Sequence, residues 1–344
     1  MHRAAGDAST LLPPDALPLD AHDPASPWLL LPPETRDAFD ALRAAGPPLA
    51  DADVARPTLG VKCGCNDAFL VDVEPGDGPT AVVHAGDRVG RVERALLRPV
   101  LRGEDLARPH ARDDAQGVAS ILWTHGDDGA PLPALPPLAA RWLAPWRDRL
   151  PERAASRGAR WWSLFSAAVA AAPRAGDCWA DLARTPAPRL LGAGDPTVPL
   201  NTCYVAPCDD PLDARALAAL LATPLVAAWL GALAEPARGG FRRHLAWTVA
   251  LLPTPRDWRR ARLVLAPALD VEPTARNAIV AAAFGLPLHR LAPLLAWDAG
   301  LAPAPRPPVR LVRERRHDAP TAIPAPIAPT RWRGPHARGH GAPC

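Results

Sequence analysis

Pro57-Thr-Leu-Gly-Val-Lys-Cys-Gly-Cys-Asn-Asp-Ala-Phe-Leu-Val-Asp72 is the most informative stretch of the chain. Two β-type segments, Thr58–Val61 and Phe69–Val73, flank a loop that presents Lys62, Asn66 and Asp67. Glycines at 60 and 64 allow a close backbone approach or a positive φ. Lys62 is the only lysine, against 38 arginines. A lysine supplies a point charge suited to phosphate, and an asparagine can pair bidentately with adenine. The same residues would serve as the polar turn of an ordinary hairpin, and spacing alone favours the hairpin.

Outward from this stretch the chain reads as a mixed α+β fold without regular βαβ alternation: mainly antiparallel sheets, a long covering helix and a C-terminal helical portion. A helix is expected over 34–45, with strands at Ala81–His84 and Val118–Trp123. A charged, tryptophan-bearing helix over Pro137–Ala155 would cover the sheet. Further strands are expected at Arg160–Phe165, Arg189–Leu191, Val198–Val205 and Leu245–Leu252. Helices are expected over 211–235, 273–284 and 287–297. Ala216–Ala234 is uncharged and long enough to span a bilayer. Its alanines and the Thr223-Pro224 interruption make it a buried helix instead.

The 45 prolines and 24 glycines disfavour a helical bundle and favour short elements joined by turns. Residues 1–27 read as a flexible leader without the apolar core of a secretory signal, 28–300 as the folded domain, and 301–344 as a disordered Pro/Arg tail. The net charge of +3 is uneven: 302–344 carries eight arginines against Glu314 and Asp318, a net +6, so the rest of the chain stands at −3. Six cysteines in 344 residues are no disulfide scaffold, and a reducing cytoplasm is expected. Cys63-x-Cys65 is tighter than a zinc knuckle and far from Cys203-x4-Cys208, so these read as small buried thiols with no metal. His84, His110, His125 and His244 have no partner at ligand or triad spacing and read as solvated loop residues. No phosphate-binding glycine loop, dinucleotide fingerprint, zinc-protease motif or nucleophile elbow occurs. Nor does the [DNS]-P-P-[YFW] loop of amino-group methyl transfer; Ser26-Pro27-Trp28 is the nearest approach. No catalytic residue and no cofactor site is therefore assigned.

The segment Gly60-Val-Lys-Cys-Gly-Cys-Asn-Asp-Ala-Phe69 resembles the signature loop of the TaqI-like C-terminal specificity domain. That domain is the target-recognition region of adenine-specific DNA methyltransferases and type IIG restriction–modification enzymes. The family usually has Thr or Ser where Cys63 stands. The likeness continues in order over about residues 28–256. Leu97–Leu106 is similar to the P-x-x-x-G-x-D-I segment, and Pro136–Phe165 to the long helix and W-x-L strand. Val198–Tyr204 resembles the V-x-x-N-T strand, and Gly239–Arg242 with Leu251–Pro255 the closing segments.

The resemblance implies a module that reads duplex DNA and positions it for adenine methylation, with base flipping and S-adenosylmethionine on a separate catalytic domain or chain. Only about 27 residues precede Trp28, so the chain is expected to be a specificity subunit or a truncated product. The expected DNA-binding residues are Lys62, Asn66, Asp67, Arg98, Arg102, Arg160, Trp161, Asn201, Thr202, Arg242 and Arg243. Lys62, Asn66 and Asn201 should lie nearest the bases or phosphates, with Lys62 facing an electropositive concavity. Arginines at 98–112, 141–160 and 238–243 form clusters that could neutralise phosphates, although a solvated helix face over 141–157 would look the same. The alternatives are a remnant, or a protein-interaction scaffold using the Pro/Arg tail, with no specific DNA activity.

Overall fold

The computed structural model describes residues 17–18, 28–107, 118–153, 160–171 and 174–301. The leader, apart from Leu17–Pro18, and the tail lie outside them, as do Arg108, His110, Arg112 and Arg157. The fold is α+β, built on two principal sheets and a helical layer.

The strands of the two sheets are β1 (Thr58–Leu59), β2 (Leu70–Val73), β3 (Thr80–Ala85), β4 (Arg88–Glu93), β5 (Leu97–Leu101), β6 (Val118–Leu122), β7 (Gly176–Ala180), β8 (Arg189–Leu191), β9 (Val198–Pro199) and β10 (Cys203–Pro207). The six-stranded sheet runs β9-β5-β6-β2-β3-β4 and the four-stranded sheet β8-β7-β10-β1. All pairings are antiparallel except β9 with β5. Helices α1 (Pro33–Ala44), α2 (Pro137–Leu143), α3 (Pro211–Leu221), α4 (Pro224–Leu233), α5 (Ala246–Ala250), α6 (Trp258–Ala268), α7 (Pro273–Ala283) and α8 (Leu288–Leu301) complete the frame.

Two large cores divide the apolar side chains. One gathers Phe69, Val83, Ile121 and Trp142 between the six-stranded sheet and α2. The other gathers Phe39, Leu217, Trp229, Leu265 and Leu291 among the helices, with Trp179 of β7 reaching into it. Phe39 and Trp229 stack in parallel at 4.7 Å between ring centroids.

Several elements differ from expectation, each for a local reason. The covering helix begins at Pro137 but ends at Leu143, giving way to single tight turns at Ala144–Trp146 and Leu150–Glu152. Pro145 and Pro151 each remove an amide donor and clash with the preceding turn, so one continuous helix cannot form. The 211–235 helix divides at Thr223-Pro224 into α3 and α4, bent by 74°. Among the described residues no single helix is long and apolar enough to cross a membrane. Arg160–Phe165 is a turn and not a strand; Phe165 makes an isolated bridge with Lys62, and Leu164 packs into the core of the six-stranded sheet. Val198–Val205 is interrupted at Leu200–Thr202 and serves both sheets. Leu245–Leu252 carries the helix α5 and not a strand; its buried Thr248, Val249 and Leu252 recur at helical spacing.

Candidate functional site

The quoted stretch is not a hairpin. β1 belongs to the four-stranded sheet and β2 to the six-stranded one, so residues 60–69 cross between them. Leu200-Asn201-Thr202 crosses in the opposite direction, from β9 to β10. The two crossings are laced together: the Gly60 amide donates to the Cys203 carbonyl at 3.0 Å and the Val61 amide to that of Pro199 at 2.8 Å. Gly60 is required by this approach, because a Cβ there would stand 2.3 Å from the Leu200 carbonyl oxygen. Gly64 turns the loop at φ +68°, and a one-turn helix, Asn66–Phe69, leads into β2.

Two more segments close on the same loop. Lys62 and Phe165 exchange backbone hydrogen bonds at 3.1 and 2.8 Å. Arg153 donates to the carbonyls of Cys63 at 2.5 Å, Trp161 at 2.9 Å and Leu150 at 2.7 Å, with its guanidinium 4.8 Å from the Phe165 ring centre. Desolvation lowers the Arg153 pKa, and burial raises that of the Cys63 thiol. On the other flank, the amide of Gly103, which opens a short helix after β5, donates to Thr202 Oγ1 at 2.9 Å.

A cleft of about 780 Å³ opens at this junction. Asn66, Asp67, Arg102, Asn201 and Thr202 line it, so five of the eleven expected residues come together. Asn66, Asp67, Asn201 and Thr202 are exposed. Asn66 Oδ1 accepts from the Cys63 thiol at 3.0 Å, which leaves its amide NH2 directed by a fixed side chain. The walls also carry Asp72 and Glu104, not among the expected site residues, and His84, which is no loop residue but lies on β3 with Nε2 2.7 Å from a Glu74 carboxylate oxygen. The signal for Asp72 and His84 lay in strand alternation: they are register partners on β2 and β3.

The electrostatic expectation is corrected. Asp67, Asp72 and Glu104 outnumber Arg102 in the cleft, so the concavity is not electropositive. Lys62 is exposed but stands outside its lining, on the flank shared with Phe165. Exposed Arg160 lies on the same flank, 5.3 Å from the Trp162 ring centre. Trp161 and Trp162 are both half-buried and meet edge to face at 5.3 Å, so neither ring is a free stacking platform.

The remaining arginines have internal partners. Arg98 donates to the Ala170 carbonyl at 2.6 Å and lies 4.5 Å from the Trp123 ring centre, and burial lowers its pKa. Arg242 pairs with Asp298 at 2.6 Å and Arg243 with Asp181 at 2.8 Å. Arg98 and Arg242 are thus engaged within the fold, whereas the Arg243 pair is exposed to solvent. His125 and His244 are buried, not solvated, and burial pushes both pKa values down to about 4. Cys63, Cys203 and Cys208 are buried thiols, and Cys65 is half-buried. Among the described residues no group of three His, Cys, Asp or Glu side chains could hold a metal ion.

The chain matches no protein-family model and no curated protein.

Proposed function

We propose that the junction of the two sheets is a duplex-DNA recognition surface, positioning DNA for adenine methylation by a separate catalytic domain or chain that carries S-adenosylmethionine. One observation carries the reading. Residues 60–67, 102–104, 160–165 and 200–202, far apart in sequence and each within a segment that carries the family resemblance, meet around one loop.

The acidity of the cleft favours base contacts inside it and phosphate contacts on its flank. Exposed Lys62 and Arg160 on the flank suit phosphates, where each neutralised phosphate adds to the salt dependence of binding. Asn66 and Asn201 offer amide donors and acceptors to base edges. Asp67 can accept from an exocyclic amino group of cytosine or adenine but would repel a phosphate, so the cleft discriminates bases and the flank supplies affinity.

Selection from a random-sequence duplex pool, followed by fluorescence titration of the enriched site, tests this. Asn66→Ala with Asn201→Ala should erase the preference for the enriched site while sparing most non-specific affinity. Lys62→Ala should weaken all sequences alike and reduce the salt slope by about 1. A pool that never enriches, or an enriched site bound equally by the double asparagine variant, overturns the reading.

A further inference from the structure

The helical half of the molecule carries a second, chemically different surface. A groove of about 1020 Å³ runs between the C-terminal end of α1, α6 and α7, and it shares no residue with the cleft at the sheet junction. Its walls are apolar, with Val264, Ile279, Phe284 and Leu286 the largest aliphatic and aromatic contributors. Val264 is 52% exposed and the adjoining Leu263 61%. Phe284, at 7%, faces the core, so the accessible apolar wall is exposed Val264 with half-buried Ile279 and Leu286; an apolar surface rimmed by polar residues marks an interaction site.

Its rim is basic. Arg256, Arg260 and Arg290 border the groove against one carboxylate, Asp257. That carboxylate is already engaged, accepting from the Arg260 amide at 3.1 Å as the N-cap of α6.

The positions of two of these arginines are informative. Arg260 is the third residue of α6 and Arg290 the third of α8, and neither helix has an acidic residue in its first turn. The start of a helix carries partial positive charge, so a cation there is locally unfavourable and an acid is preferred. Two helices that share this groove both place arginine where glutamate would stabilise them. Arg259, in the same first turn of α6, does not line the groove, so the rim itself is what points to an occupant: three arginines against one engaged carboxylate are complementary to an acidic one.

From this groove we infer a docking site for an acidic amphipathic helix of a partner chain. Three helices bordering one trough present ridges between which a fourth helix can seat its own. Such a helix would lay leucine-like residues at i, i+3, i+4 and i+7 on Val264, Ile279 and Leu286, with carboxylates meeting Arg256, Arg260 and Arg290. The inference does not depend on DNA binding at the sheet junction.

A fluorescein-labelled peptide with leucines at that spacing and glutamates elsewhere is the probe, with its lysine-for-glutamate counterpart as control. Fluorescence anisotropy on the full chain should show the glutamate peptide bound at least about tenfold more tightly than the lysine peptide, and less tightly as salt rises. The double variant Arg260→Glu, Arg290→Glu should reverse that preference. It should also unfold no lower than the wild type, because it places acids at two helix starts. The inference is overturned if neither peptide binds, or if the preference survives charge reversal. It is equally overturned if a duplex oligonucleotide displaces the peptide, or if the groove is occupied by self-association that the variant abolishes.

Discussion

Asp177 is the residue whose environment contrasts most with its chemistry. It lies on β7 with both carboxylate oxygens buried and without a hydrogen-bond partner among the described residues, and desolvation raises its pKa well above the usual range. The folded chain therefore keeps a proton that the unfolded chain releases. Below the ordinary carboxylate pKa both states are protonated and the residue adds no pH dependence. As pH rises beyond it, stability falls by up to about 1.4 kcal/mol per unit until the folded group ionises. Asp177→Asn should remove that decline, so urea midpoints measured at pH 5 and pH 8 should differ less than in the wild type. His125 and His244 act in the opposite direction. Their pKa values lie near 4 in the folded state, so they favour folding above about pH 6.5, and that stability is lost as the pH falls towards 4. Gly60 is limited by space, not charge. Gly60→Ala would drive a methyl group into the Leu200 and Pro199 carbonyls, 2.3 and 2.7 Å away. A loss of about 2–4 kcal/mol in urea unfolding is expected, together with loss of the crossing on which the cleft depends.

At the scale of elements, proline sets most boundaries. α1, α2, α3, α4 and α7 all begin with a proline at their first position, where the missing amide costs nothing. The same residue inside the 137–155 and 211–235 stretches divides what apolar content alone would extend. These breaks have consequences. The turns after α2 bring Arg153 back onto the 62–65 loop, where its guanidinium bridges three carbonyls. Arg153→Met keeps the aliphatic stem and removes the donors. It should cost about 1–3 kcal/mol and speed hydrogen exchange at the Lys62 and Phe165 amides, which bond each other's carbonyls beside it. Elements without a periodic signature were not legible. β7 is buried at every position, so it shows no alternation, and β4 is largely polar on both faces. α6 hides behind Pro267 in its last turn, although Ala261, Leu265 and Ala268 are buried at helical spacing. α5 has the β-branched content of a strand but the burial period of a helix.

For the whole molecule, the two cores and the two crossings between sheets are the organising features. The charge is distributed on the same scale: residues 302–344 carry a net +6 and the remainder −3. If the sheet junction binds DNA, deletion of 302–344 should lower non-specific affinity and flatten the salt dependence while leaving the enriched sequence unchanged; a titration of both chains across a salt series measures this.

Composition and periodicity by themselves determined the α+β class, helices over 34–45, 273–284 and 287–297 that overlap α1, α7 and α8, the strands β2, β3 and β6, and the backbone freedom needed at Gly60 and Gly64, but not β4 or β5. Those properties are local: they depend on which side chains alternate and where backbone freedom is needed. Tertiary structure alone decided that 57–72 joins two sheets and is not a hairpin, that Arg98, Arg242 and Arg243 have internal partners, and that carboxylates line the cleft beside Lys62. A charge in a sequence carries no record of its partner, because ion pairs and cleft walls are assembled from residues tens to hundreds of positions apart.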